Sequence, residues 1–99
     1  MKFNFDGTGS IVAMSGDFTF TDHVAFLEIM NRLFETRAEP IVIDLSQLEF
    51  IDSAGLGMLL IARDEVGKSS RKLTLRAPKG QVKRMFSVTR FETLFAIET

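Results

Sequence analysis

The chain has no cysteine, no tryptophan and no tyrosine, only two prolines, and a single histidine among its 99 residues. The absence of cysteine excludes disulfides and thiolate metal sites, and it leaves the redox compartment undecided. One histidine, His23, makes a histidine-based metal centre or catalytic triad improbable. Long hydrophobic runs are missing as well. The longest, Leu56 to Ala62 interrupted by Gly57, falls far short of the roughly 20 residues a membrane helix needs. Met1 to Gly7 has no sustained apolar core, so no secretory signal is expected and the expected location is cytoplasmic.

What is present is 45% hydrophobic residues, ten phenylalanines among them, and 25% charged ones. That composition disfavours disorder, and the length suits one domain covering residues 1–99. The net charge of −1 is unevenly spread. Residues 1–62 hold three basic and nine acidic side chains, and residues 63–99 hold nine basic and four acidic ones. The ordinary reading of such asymmetry is a solvated face. Without a recognisable reading motif, no nucleic-acid partner is expected.

Phe3 and Phe5, the turn residues Asp6-Gly7-Thr8-Gly9, and Ile11 to Met14 read as a β-hairpin. Gly16 to Phe20 is expected as an irregular connection. Thr21 or Asp22 can cap a helix to about Arg37, with Phe26, Met30, Leu33 and Phe34 as its buried stripe. Ile41 to Leu45 has the apolar, β-branched pattern of a strand covered on both faces. A loop from Ser46 to Asp52 then leads to a helix from about Ala54 to Val66, closed by Gly67. Lys72 to Arg76 predicts a strand, Lys79 to Val88 a helix after Pro78, and Phe95 to Ile97 a last short strand. The order ββαβαβαβ defines a mixed-sheet α/β domain, with an antiparallel opening hairpin and parallel strands joined by helices.

The segment Phe50-Ile51-Asp52-Ser53-Ala54-Gly55-Leu56-Gly57-Met58 breaks a local rule. Two glycines in the first turn and a half of a helix cost about 1 kcal/mol each relative to alanine. Such a sequence needs backbone close to a strand, a partner or an anion. Ser53 falls where an N-cap belongs, and Met58 is expected at the surface beside it. A phosphate on Ser53 would sit at a helix N-terminus, which favours negative charge.

Ile41-Val42-Ile43-Asp44-Leu45-Ser46 followed by Phe50 to Gly57 resembles the signature of STAS domains, the family of sulfate transporters and anti-sigma-factor antagonists. The resemblance extends to the Gly16 turn and to Val82–Ile97. It implies a non-enzymatic partner-switching regulator without a cofactor. In such proteins the serine at the position of Ser53 is phosphorylated by an anti-sigma-type serine kinase. The unphosphorylated form binds that partner, the phosphorylated form releases it, and a serine phosphatase resets the cycle. The implied partner surface comprises Asp52, Ala54, Gly55, Leu56, Gly57 and Met58, bordered by Asp17 and Thr19. No membrane insertion is implied, and a monomer or weak dimer is expected. Thr19 stands where many members have an acidic residue. Ala54 replaces a frequent second serine or threonine, which leaves Ser53 as the one acceptor in the motif. Arg90 and Phe91 stand where glycine and leucine are frequent, and a partner-specific surface is expected there. The alternative is a subunit of a larger assembly, such as an ABC-type lipid transporter, packed permanently through the serine helix.

Other motifs carry less. Gly67-Lys68-Ser69-Ser70 ends like a P-loop, but Ala62 occupies the required first glycine. Ile51 to Gly55 resembles a nucleophile elbow without its first glycine, and no histidine base is provided for it. Asp44, at the end of its strand, is open to an ion or to a structural hydrogen bond near the Ser53 loop.

Overall fold

The computed structural model describes all 99 residues as five strands and three α-helices. Strands β1 (Lys2–Phe5) and β2 (Ile11–Phe18) form the antiparallel hairpin. Helix α1 (His23–Glu35) leads to β3 (Ile41–Ile51), and α2 (Ser53–Lys68) leads to β4 (Leu73–Arg76). Helix α3 (Gly80–Val88) and β5 (Ala96–Glu98) complete the chain, with 3₁₀ turns at Phe20–Asp22 and Phe91–Thr93. The strands lie in the order β1-β2-β3-β4-β5, and every pair after the hairpin is parallel. The fold is the mixed-sheet α/β architecture that the order of elements predicts.

In the hairpin turn the Asp6 carboxylate accepts hydrogen bonds from the Thr8 hydroxyl at 2.8 Å and the Ile11 amide at 3.3 Å. The Thr8 bond holds the Asp6 carboxyl below its ordinary range. Along β2 and β4 buried and half-buried residues alternate: Val12 and Met14, then Leu73 and Leu75, face the core. They join Phe26, Ile29, Met30 and Leu33 of α1, Leu59, Ala62 and Val66 of α2, and Val82 and Phe86 of α3 in one hydrophobic core. Phe91 stacks between Phe86 and Phe95, at centroid distances of 5.2 and 5.1 Å, and closes the core.

The structure corrects several sequence expectations. β2 continues through Gly16 and Asp17 to Phe18, and β3 runs to Ile51 where a loop was expected from Ser46. The stripe of α1 is rotated: Ile29 is fully buried, and Phe34 is partly exposed. Gly67 lies inside α2, which ends at Lys68 with Ser69 as its cap, and the left-handed residue beyond it is Ser70. Both faces of β3 are covered at Val42, but Asp44 is only half-buried. Phe91 belongs to the core, whereas Arg90 is exposed with φ 60°, in the left-handed region that favours glycine.

Candidate functional site at the start of helix α2

The parallel pairing of β2 with β3 brings Phe18 opposite Ile51, so the segments leaving both strands emerge at one edge of the sheet. Asp52 follows Ile51 in extended conformation and ends the strand. Its amide donates to the Phe18 carbonyl at 3.2 Å. Its carboxylate then does two things. One oxygen accepts the Gly55 amide at 2.8 Å, which caps α2, and the other accepts the Phe20 amide at 3.2 Å, which ties the helix start to the 3₁₀ turn. The N-cap is therefore Asp52, not Ser53. Asp wins because the strand ends at Ile51, which makes residue 52 the last non-helical one.

Ser53 is consequently the first helical residue, exposed to solvent, with a hydroxyl that the cap does not use. The first N–H groups of α2 lack intrahelical partners and leave a positive end of the helix dipole there. The two glycines beyond it differ in surroundings. A Cβ on Gly55 would lie 2.7 Å from the Ile51 side chain and 2.7 Å from the Phe18 carbonyl oxygen. Gly55 is glycine because the helix presses on the ends of β2 and β3. Around Gly57 nothing would meet an added Cβ within 4 Å.

Of the other residues singled out from sequence, Leu56 is buried in the core and Ala54 is half-buried. Met58 is buried too, contrary to the expectation that it lies on the surface. Helix geometry turns it toward α1, where it lines a cavity of about 300 Å³ with His23, Leu27, Phe34 and Ile61. Asp17 is exposed and Thr19 half-buried at the end of β2. Two hydrogen bonds link that segment to the motif, from the Asp52 amide to the Phe18 carbonyl and from the Phe20 amide to the Asp52 carboxylate. Asp44 accepts the Ser46 amide at 2.9 Å, a local strand contact. It lies roughly 20 Å along β3 from Ile51 and has no part in the site.

Sequence reading missed three residues near this edge. Phe20, whose amide is bonded to Asp52, is 70% exposed, and Ile61, one turn beyond Gly57 on α2, is 61% exposed. An aromatic next to a turn and an isoleucine four residues after Gly57 were the available signals. The third, Gln81 of α3, hydrogen-bonds both backbone groups of Ile51. Nothing local in the sequence announces it.

The basic part of the chain splits in the folded molecule. Lys68, Arg71 and Arg76 pair with Glu65, Glu39 and Glu98. The bond to Glu65 raises the Lys68 ammonium above its ordinary pKa. Lys79, Lys83, Arg84 and Arg90, on and around α3, are exposed.

A five-stranded sheet of this order, with a capped serine helix at the shared edge of β2 and β3, defines a STAS-type domain. The chain belongs to that family: the family model described as "Mlab, STAS domain" matches residues 1–97. A STAS-domain containing protein of Pseudomonas aeruginosa (strain UCBPP-PA14) is 32% identical over 92 residues, covering 93% of this chain and 90% of the relative. Two solved structures share the fold. One is a candidate anti-sigma factor antagonist of Thermotoga maritima, with TM-score 0.80 and 19% identity over 99% of this chain and 85% of that one. The other is the anti-sigma factor antagonist SpoIIAA in its unphosphorylated form, with TM-score 0.72 and 17% identity over 99% and 86%. No helix is long and apolar enough to cross a membrane.

Proposed function

We propose that the chain is an anti-sigma-factor-antagonist-like partner switch that binds an anti-sigma-type serine kinase when Ser53 is unmodified and releases it when Ser53 is phosphorylated. The observation that carries this reading is the division of labour at the start of α2: Asp52 performs the capping, and Ser53 stands exposed beside it. Modification of Ser53 then leaves the fold's hydrogen bonds intact and changes the surface. A phosphate adds about −1.5 to −2 charge, taking the Asp52–Ser53 pair from about −1 to about −3. The helix N-terminus tolerates that charge within the domain. A partner packed over Ser53 and the bare backbone of Gly57 meets repulsion and the cost of desolvating a dianion. The proposed partner surface is Asp52, Ser53, Ala54, Gly57 and the exposed Phe20, supported from beneath by Gly55, Leu56 and Met58, with Asp17 and Thr19 at its border. A serine phosphatase acting on phospho-Ser53 restores the binding form.

The test is incubation with the cognate anti-sigma-type serine kinase and ATP, followed by mass mapping and by affinity measurements on two variants. Phosphate is expected on Ser53, with Ser53→Ala retained by the kinase and Ser53→Asp released. Absence of phosphate on Ser53, together with equal affinity of the two variants, sinks the reading. The open surface at Gly57 suits permanent docking equally well. The second reading is therefore a subunit of a larger assembly, such as an ABC-type lipid transporter. Stable co-purification with transporter subunits, insensitive to ATP and kinase, distinguishes it.

A further inference from the structure

We infer that Gln81 is a positioning residue for the Ser53 turn: it holds the last residue of β3 and so sets where α2 begins. The inference deepens the proposed function and rests on Ser53 being the phosphate acceptor. Strand β3 pairs with β2 out to Ile51, but it pairs with β4 only from Ile41 to Asp44. Its second half therefore has a strand neighbour on one side alone. On the open side the side-chain amide of Gln81, the second residue of α3, lies against Ile51. The Ile51 amide donates to Gln81 Oε1 at 2.9 Å, and Gln81 Nε2 donates to the Ile51 carbonyl at 2.9 Å. One primary amide thus supplies the donor and the acceptor that a further strand would have provided. Ile51 is fully buried, so loss of these partners would leave backbone groups poorly served by water.

The position matters because Ile51 is two residues before Ser53 and directly beneath Gly55. The backbone of Gly55 approaches the Ile51 side chain and the Phe18 carbonyl with no room for a methyl group. Displacement of Ile51 is therefore passed to the first turn of α2 through packing that has no slack. Gln81 itself is carried at a defined place. Ala77 and Gly80 both adopt left-handed backbone, with φ 55° and 57°, and the turn they form delivers the start of α3 to the end of β3. A glutamine on a third helix thereby acts on the presentation of a serine on the second.

Two variants of the full chain test this. Gln81→Met keeps length and helix preference and removes both hydrogen bonds. Gln81→Glu keeps an acceptor for the Ile51 amide and removes the donor to its carbonyl. The readouts are amide hydrogen exchange across Phe50–Gly55 and the separate kcat and KM of Ser53 phosphorylation, using the kinase preparation that modifies the wild-type chain. Exchange at Ile51 and Asp52 is expected to rise about tenfold in Gln81→Met, from the loss of about two hydrogen bonds, and at least as much in Gln81→Glu, whose second carboxylate oxygen faces the Ile51 carbonyl. Amides of β2 and β4 keep their protection. The kcat is expected to fall about tenfold with KM changed less than about twofold, because the docking surface is intact and the acceptor is misplaced. Unchanged exchange in both variants overturns the inference, and so does faster exchange with unchanged kcat. A wild-type chain that accepts no phosphate overturns the proposed function instead, and exchange alone then decides whether Gln81 holds the turn. If Gln81→Met fails to fold, the comparison rests on Gln81→Glu.

Discussion

The inner and outer sides of the first two turns of α2 carry the same residue for opposite reasons. On the inner side, Gly55 is pressed against Ile51 and the Phe18 carbonyl, and a single methyl group does not fit. On the outer side, Gly57 has free space around it and no contact within the chain that requires glycine. Glycine at an open helical position lowers stability by about 0.5–1 kcal/mol relative to alanine. Ser53, four residues before Gly57 on α2, lies on that same face of the helix. The packing of the fold requires the inner glycine, and no contact within the chain requires the outer one.

The largest effect that sharpens this contrast is expected from Gly55→Ala. Forced contact with backbone at Phe18 outweighs the gain in helix propensity, for a net loss of about 2 kcal/mol, or roughly 10 °C in Tm. Thermal unfolding checks it, and an unchanged Tm would mean that the helix shifts at little cost. Asp52→Ala comes next, at about 1–2 kcal/mol, since it removes the cap on Gly55 and the tie to Phe20 together. Denaturant titration measures that loss. Gly57→Ala should move the other way. The domain gains about 0.5–1 kcal/mol, while affinity for the partner falls about tenfold because a methyl group intrudes on a close contact. A variant that is more stable and binds as well as wild type would break the contrast. Smallest of all is Ser53→Ala, expected within about 0.5 kcal/mol of wild type because Asp52 is the cap. A loss of about 1 kcal/mol there would return the capping role to the serine.

The element order and the motif were legible from residue types because they follow from local chemistry. Hydrophobic periodicity marks the strands and helices, and paired glycines after a small polar residue mark a helix start under unusual demands. The far half of β3 was not legible. Gln47, Glu49 and Phe50 are exposed, and the strand there is flanked by β2 alone, so its composition reads as loop. The choice between Asp52 and Ser53 as cap followed from that error, since both side chains suit the role and only the end of the strand decides between them. The burial of Met58 and the exposure of Phe34 were misjudged because a helix's own period does not say which direction its neighbours lie in.

By itself the sequence determined the fold class, the family and the segment around Ser53, because each is written in contiguous residues whose conformational preferences are local. Tertiary structure alone decided which carboxylate caps α2, which glycine is buried, and that Gln81 completes the end of β3. Those outcomes depend on residues separated by tens of positions meeting at one sheet edge, and hydrogen bonds and close packing act only between atoms that the fold has already brought together.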